Sequence, residues 1–142
     1  MIELVPLCSA IVELGPNLAI GAGPAGDRSI GEFRSATFTG DRLRGTLAGA
    51  AAADWLVRNG AIGVIDVRMC VRTRDDALIY IRYGGRLDLS NPGAGIYAYI
   101  APTFETGDER YTWLNRVQAV GKGKLIAGPD GARLEYEICE IR

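Results

Sequence analysis

Two neighbouring stretches, Asp54-Trp55-Leu56-Val57-Arg58-Asn59-Gly60 and Ile65-Asp66-Val67-Arg68-Met69-Cys70-Val71, decide how this chain is read. In the second, Ile65, Val67, Met69 and Val71 share one parity while Asp66, Arg68, Cys70 and Arg72 share the other. That alternation is the signature of a β-strand with one apolar and one polar face. The first stretch reads as a turn rich in charge and aromatic area that delivers the chain to this strand. Together they point to a polar pocket or a paired surface on a β-sheet protein.

Working outward, strand patterns fall at Ser9 to Leu14, Phe33 to Thr39, Arg42 to Leu47, Gly63 to Arg72, Ala77 to Tyr83, Gly95 to Pro102, Thr112 to Val120 and Ala132 to Ile141. Gly, Pro, Asn and Asp separate them. Ala48 to Arg58 is the one stretch with some helical composition, but it is short and flanked by glycine, so a loop or single turn suits it equally. The expected class is all-β, with about eight to ten antiparallel strands. Such a sheet must split into a sandwich or close to hide its edges. The Cys-Trp-Cys spacing of an immunoglobulin-like sandwich is missing, which favours a closed or nearly closed antiparallel β-barrel with room for a small ligand.

With 142 residues and no linker, residues 1–142 are expected to form a single β-barrel domain. Its 19 Gly and 6 Pro are spread along the chain, as many tight turns require. The 16 Lys and Arg nearly balance the 17 Asp and Glu, and no basic block is interleaved with aromatics, so no nucleic-acid partner is expected. Met1-Ile2-Glu3-Leu4-Val5 lacks the pattern of a signal peptide and no run is long enough for a membrane helix. The expectation is a cytoplasmic protein without membrane attachment.

Cys8, Cys70 and Cys139 are distant and odd in number, the pattern of buried free thiols rather than of a disulfide framework or a zinc knuckle. The chain contains no His, which removes imidazole ligands, the Ser-His-Asp triad and a Cys-His pair. Proton transfer would therefore fall to Asp, Glu, Tyr, Lys or Arg, with a carboxylate tuned by an apolar pocket or by Arg. Gly21-Ala22-Gly23-Pro24-Ala25-Gly26 reads as a turn, since Pro24 removes a phosphate-binding amide and no βαβ helix follows. Gly121-Lys122-Gly123-Lys124 lacks full phosphate-loop spacing and reads as a hairpin. No nicotinamide, flavin or metal cofactor is expected.

Further residues carry a resemblance: Asp54-Trp55, Arg58, Gly60, Ile65-Asp66 with Arg68, Thr73 and Asp75-Asp76-Ala77-Leu78-Ile79, then Gly85-Arg86, Phe104-Glu105, Tyr111-Thr112-Trp113-Leu114-Asn115 and Gly121-Lys122-Gly123. In their order and spacing the chain resembles the bacterial and fungal family DUF3237, also called UPF0311, over nearly its whole length. The resemblance implies a compact antiparallel barrel, compatible with pairing of two copies, and points to no established general activity. Three positions depart from the family's pattern: Asn59 replaces an acidic residue, and Met69 and Val117 replace aromatics. A shared pocket would be reshaped here.

Asp54 is the strongest isolated candidate for chemistry, with Arg58 placed to orient it and Asp66 and Arg68 as a second catalytic pair if the polar strand face encloses a cavity. If the apolar face fills the core instead, Asp66 and Arg68 face solvent. Trp55, Tyr80, Arg82, Tyr97, Glu105, Trp113 and Asn115 are the candidate lining for a small oxygenated organic ligand, supplying aromatic area and polar tips. Tyr99 shares the strand parity of Tyr97, and Trp113 that of Asn115.

These residues support a small-molecule-binding barrel acting as a cofactor-independent isomerase, cyclase or lyase. A non-enzymatic carrier and a structural subunit would use the same features. A homodimer is expected if Ile65, Val67, Met69 and Val71, with Leu134, Tyr136 and Ile138, lie on outer sheet faces that need cover.

Overall fold

The computed structural model describes residues 1–142. The alternating segments become a 10-stranded antiparallel sheet. Its strands are β1 (Leu4–Gly23), β2 (Gly26–Thr39), β3 (Gly45–Leu47), β4 (Ala53–Asn59), β5 (Ile62–Thr73), β6 (Leu78–Asp88), β7 (Tyr97–Ile100), β8 (Thr103–Glu105), β9 (Ala119–Gly128) and β10 (Gly131–Ile141). Short 3-10 segments lie at Pro92–Ala94 and Thr112–Arg116. No helix is long and apolar enough to cross a membrane.

Eight strands form a nearly closed ring in the order β5-β4-β2-β1-β10-β9-β7-β6, and β6 pairs back onto β5. At one end of the ring β3 replaces β4 between β2 and β5, and β8 replaces β7 beside β6. Closure gives long strands partners on both sides, which removes most of the exposed edge. The longest element is the β1–β2 hairpin, paired from Ser9↔Thr39 to Gly23↔Gly26 with register shifts at Glu13/Leu14, Leu14/Asn17 and Ala19/Gly21. Such bulges bend and twist a strand, so one long ribbon can wrap around the barrel. The expected turn at its tip is present, with Gly26 at φ 133.

Several local expectations are corrected. Asp54 lies in β4, neither in a turn nor in a helical stretch, because residues 27–32 of β2 and residues 62–68 of β5 pair with β4 on its two sides. The strand expected from Thr112 to Val120 is largely the 3-10 segment Thr112–Arg116, whose Leu114 is fully buried. Gly121-Lys122-Gly123-Lys124 is not a hairpin but runs inside β9. A Cβ on Gly121 would lie 2.9 Å from Ile100 Cγ1, so this glycine admits a close neighbour and does not turn the chain.

The apolar parity of β5 faces the interior: Ile65, Val67, Met69 and Val71 are all buried. Leu134, Tyr136 and Ile138 of β10 also pack on or within the core. Both sets face inward, so neither forms the outer apolar sheet face on which a homodimer was expected to rest. Phe38, Leu43, Met69, Val71, Ile79, Ile81 and Leu114 pack one part of the barrel solid. Elsewhere the interior opens into a cavity.

Candidate functional site

Strand register brings Asn17 of β1, Gly31 of β2, Asp54 of β4, Val67 of β5 and Tyr83 of β6 into one row across the sheet. Gly31, directly beside Asp54, has no side chain to fill the space next to the carboxyl group. Beside this row lies a cavity of about 140 Å³. Its walls are mostly apolar, including Phe33, Leu56, Ile65, Leu87, Leu125 and Leu134, while Asp54, Tyr136, Ser29 and Asn17 contribute polar groups. Asn17 is exposed, whereas Asp54 is half-buried and Tyr136 is buried.

The Asp54 carboxylate is tied to the barrel wall. The β4–β5 ladder lapses between Asp54↔Val67 and Val57↔Val64. Within that gap the Asp66 N–H donates to Asp54 Oδ1 at 2.9 Å. No ion pair reaches Asp54. Burial pushes its pKa up from 3.8 to about 6, opposed by the Asp66 N–H bond and reinforced by the Asp66 charge. The group can therefore exchange a proton near neutrality.

Two phenols lie near enough to feel its charge. The rings of Tyr83 and Tyr136 meet edge to face with centroids 5.9 Å apart and planes at 65°. The Tyr83 hydroxyl is the sole buried side-chain polar atom without a hydrogen-bond partner. It lies near enough to Tyr136 for the two phenols to influence each other, but their hydroxyls do not meet in hydrogen-bond geometry. Burial first, and then other contributions including the Asp54 charge, raise the pKa of both tyrosines. Both remain protonated donors at neutral pH. An apolar cavity thus holds one carboxyl group able to gain or lose a proton beside neutral hydroxyl groups.

Of the catalytic and ligand-binding candidates read from sequence, Asp54 alone is among the cavity's lining; Ile65, Val67, Leu134 and Tyr136, expected on outer faces, line it too. Arg58 does not orient it: the guanidinium Nε donates to Gly60 O at 3.1 Å and the side chain is exposed. Asp66 and Trp55 border a depression on the outer wall, where the Arg68 guanidinium lies 4.7 Å from the centre of the Trp55 ring. The polar face of β5 consequently lines no interior cavity. Tyr80 and Arg82 are exposed on β6, and Tyr80 pairs with exposed Glu105 of β8. Tyr97 packs under Lys122, whose ammonium is 4.9 Å from the ring centre. Trp113 lies under Arg42 at 5.3 Å. Asn115 clamps the backbone of Thr106, accepting from its N–H and donating to its carbonyl.

Tyr83 and Tyr136 were hidden by their setting in sequence. Tyr83 follows Ile79 and Ile81 on the apolar parity of β6, and Tyr136 stands between Leu134 and Ile138 on that of β10. Such a phenol reads as core. Its only signal is a hydroxyl on an apolar face, which must find a partner or a cavity.

A family model described as a protein of unknown function, DUF3237, matches residues 2–141. The chain belongs to the DUF3237 family. This DUF3237 protein is similar to a β-barrel-like protein from Acinetobacter baumannii AYE, with 28% identity, a TM-score of 0.84 and coverage of 100% of this chain and 97% of that one. A protein with unknown function from Clostridium acetobutylicum is 20% identical with a TM-score of 0.82, covering 99% and 97% of the two chains. A structure described as an enzyme from Penicillium herquei is 23% identical with a TM-score of 0.71, covering 100% and 94%. No curated protein matches the chain.

Proposed function

We propose that this DUF3237 protein is a cofactor-independent enzyme that transfers a proton on a small oxygenated organic compound, in an isomerisation, cyclisation or elimination. The observation that carries this reading is Asp54, a carboxyl group without an ion pair, lining an apolar cavity and raised to a pKa of about 6. A base with this pKa is largely ionised at neutral pH, yet its conjugate acid still returns a proton readily. The enzyme described from Penicillium herquei on a similar fold supports the same direction.

The cavity also limits size. Its volume of about 140 Å³ is close to that of a protein cavity known to hold benzene, about 150 Å³, so one ring is enclosed and any larger part of the substrate extends to the mouth.

A panel of one-ring ketones, lactones, phenols and unsaturated alcohols, incubated with the protein in deuterated buffer and followed by NMR, tests the proposal. Deuterium incorporation or product formation is expected for a subset of the panel. Asp54→Asn should lower that rate by about 10²- to 10⁴-fold, the range typical of a general base. In the wild-type protein kcat/KM should rise with pH around a midpoint near 6, as Asp54 ionises. Turnover indifferent to Asp54→Asn would reject the reading. Binding without conversion throughout the panel would favour a carrier.

A further inference from the structure

The Tyr83 hydroxyl remains without a role in the proton transfer by Asp54. A buried hydroxyl without a partner is destabilising, and replacing it with hydrogen would remove the penalty. Tyr136 lines the cavity and its ring packs edge to face on that of Tyr83, which is not itself part of the lining. Its own hydroxyl makes no hydrogen bond to a protein group that would compete with a ligand. When Tyr136 donates to a ligand, its oxygen becomes a better acceptor, and Tyr83 is placed to donate to it after a small adjustment.

The charge pattern narrows the ligand. No ion pair or guanidinium hydrogen bond reaches into the cavity: Arg58 is held by Gly60 O, Arg28 donates to Trp55 O, and Arg68 stacks on Trp55 at the outer wall. A phosphate or carboxylate would meet the Asp54 carboxylate without compensation. A ligand suited to this site is neutral when it enters and develops negative charge on oxygen only during reaction, when preorganised neutral donors are most effective.

Resting on the reading of Asp54 as the proton carrier, we infer that the substrate is an enolisable carbonyl compound whose oxygen is held by Tyr136, with Tyr83 as a positioning residue behind Tyr136. In the reacting complex the Asp54 carboxylate removes a proton from the carbon next to the carbonyl. The C–H electron pair becomes the enolate double bond, and the carbonyl π pair moves onto oxygen, where the Tyr136 hydroxyl donates to it. The protonated Asp54 then returns its proton to the same carbon or to the far end of a conjugated double bond, and the carbonyl is restored. Atoms and electrons balance without an external oxidant or reductant.

The probe is 4-nitrophenol, a one-ring compound whose phenolate mimics the enolate oxygen and absorbs visible light. Asp54→Asn protein, which imitates the protonated carboxyl group beside an enolate, is titrated at a pH below the solution pKa of the probe. The expected result is a bound ligand with phenolate absorbance. Adding Tyr136→Phe should weaken binding by about tenfold or more. Adding Tyr83→Phe should weaken it less and return part of the bound probe to the neutral form, a spectral change that loss of packing alone would not cause. Bound probe that stays neutral, or affinity indifferent to Tyr136→Phe, would overturn the inference.

A second measurement needs no variant. In wild-type protein saturated with 2-cyclohexenone, the C=O stretch should move to lower frequency than in water, and an unshifted band would also count against Tyr136. These binding results stand apart from Asp54-dependent turnover: exchange lost in Asp54→Asn without phenolate capture rejects the carbonyl assignment alone. Phenolate capture without Asp54-dependent exchange rejects the proton-transfer proposal on which the assignment rests.

Discussion

At the residue scale, Asp54 combines a solvation penalty with a fixed hydrogen bond. Its pKa rises from 3.8 to about 6 because burial disfavours the charged form more than the Asp66 N–H supports it. The folded state therefore binds this proton more tightly than the unfolded chain. The resulting stabilisation is present below about pH 4 and is lost as pH rises through about 6, a change of about 3 kcal/mol. Asn cannot ionise, and its Oδ1 can still accept the Asp66 N–H. Asp54→Asn is thus expected to match wild type near pH 4 and to be more stable at pH 8, as measured by urea unfolding at both values. A stability difference independent of pH would contradict the assignment. Gained stability with lost turnover is also the pattern expected of a functional carboxyl group. Sequence revealed Asp54 as an isolated acid, but neither its lack of an Arg partner nor the adjoining Tyr83 and Tyr136 could be read without knowing which way each strand faces.

At the element scale, β9 shows why local signals misled. Gly121-Lys122-Gly123-Lys124 has the composition of a turn, yet the two glycines face the side chains of Ile100 and Tyr136 packed against the strand. A Cβ at Gly123 would lie 2.5 Å from the ring of Tyr136, so β9 must lack a side chain there for that tyrosine to occupy its place beside the cavity. Gly123→Ala is expected to displace Tyr136 and cost about 1–3 kcal/mol, the usual range for overpacking. Thermal unfolding measures the stability loss, and weakened nitrophenol binding reports the moved hydroxyl. Gly107, with nothing within 4 Å of an added Cβ, supplies the contrasting Gly107→Ala variant, expected to leave binding unchanged. The alternation in β5 was legible throughout its length, but alternation leaves open which face points inward.

At the scale of the whole molecule, ring closure makes that choice. β5 pairs with β4 and β3 on one side and with β6 on the other, and its apolar row meets the opposing walls of the same barrel. Val67 is only 1% exposed. Val67→Asp should therefore cost about 4 kcal/mol or more by burying a carboxylate without a partner, a large part of the ~5–15 kcal/mol that holds a domain folded. Loss of cooperative thermal unfolding or a greatly lowered Tm is expected. A variant that stayed as stable as wild type and changed only its oligomeric state would restore the outer-face placement of Val67. Sequence by itself determined the all-β class, the alternating strands, the near-neutral charge and the absence of imidazole chemistry, because each follows from composition or from a period of two along the chain. Only the tertiary structure decided that Asp66 and Arg68 face outward and that Asp54 shares a cavity with Tyr136, with Tyr83 behind it, because those placements depend on strands distant in sequence closing around a common interior.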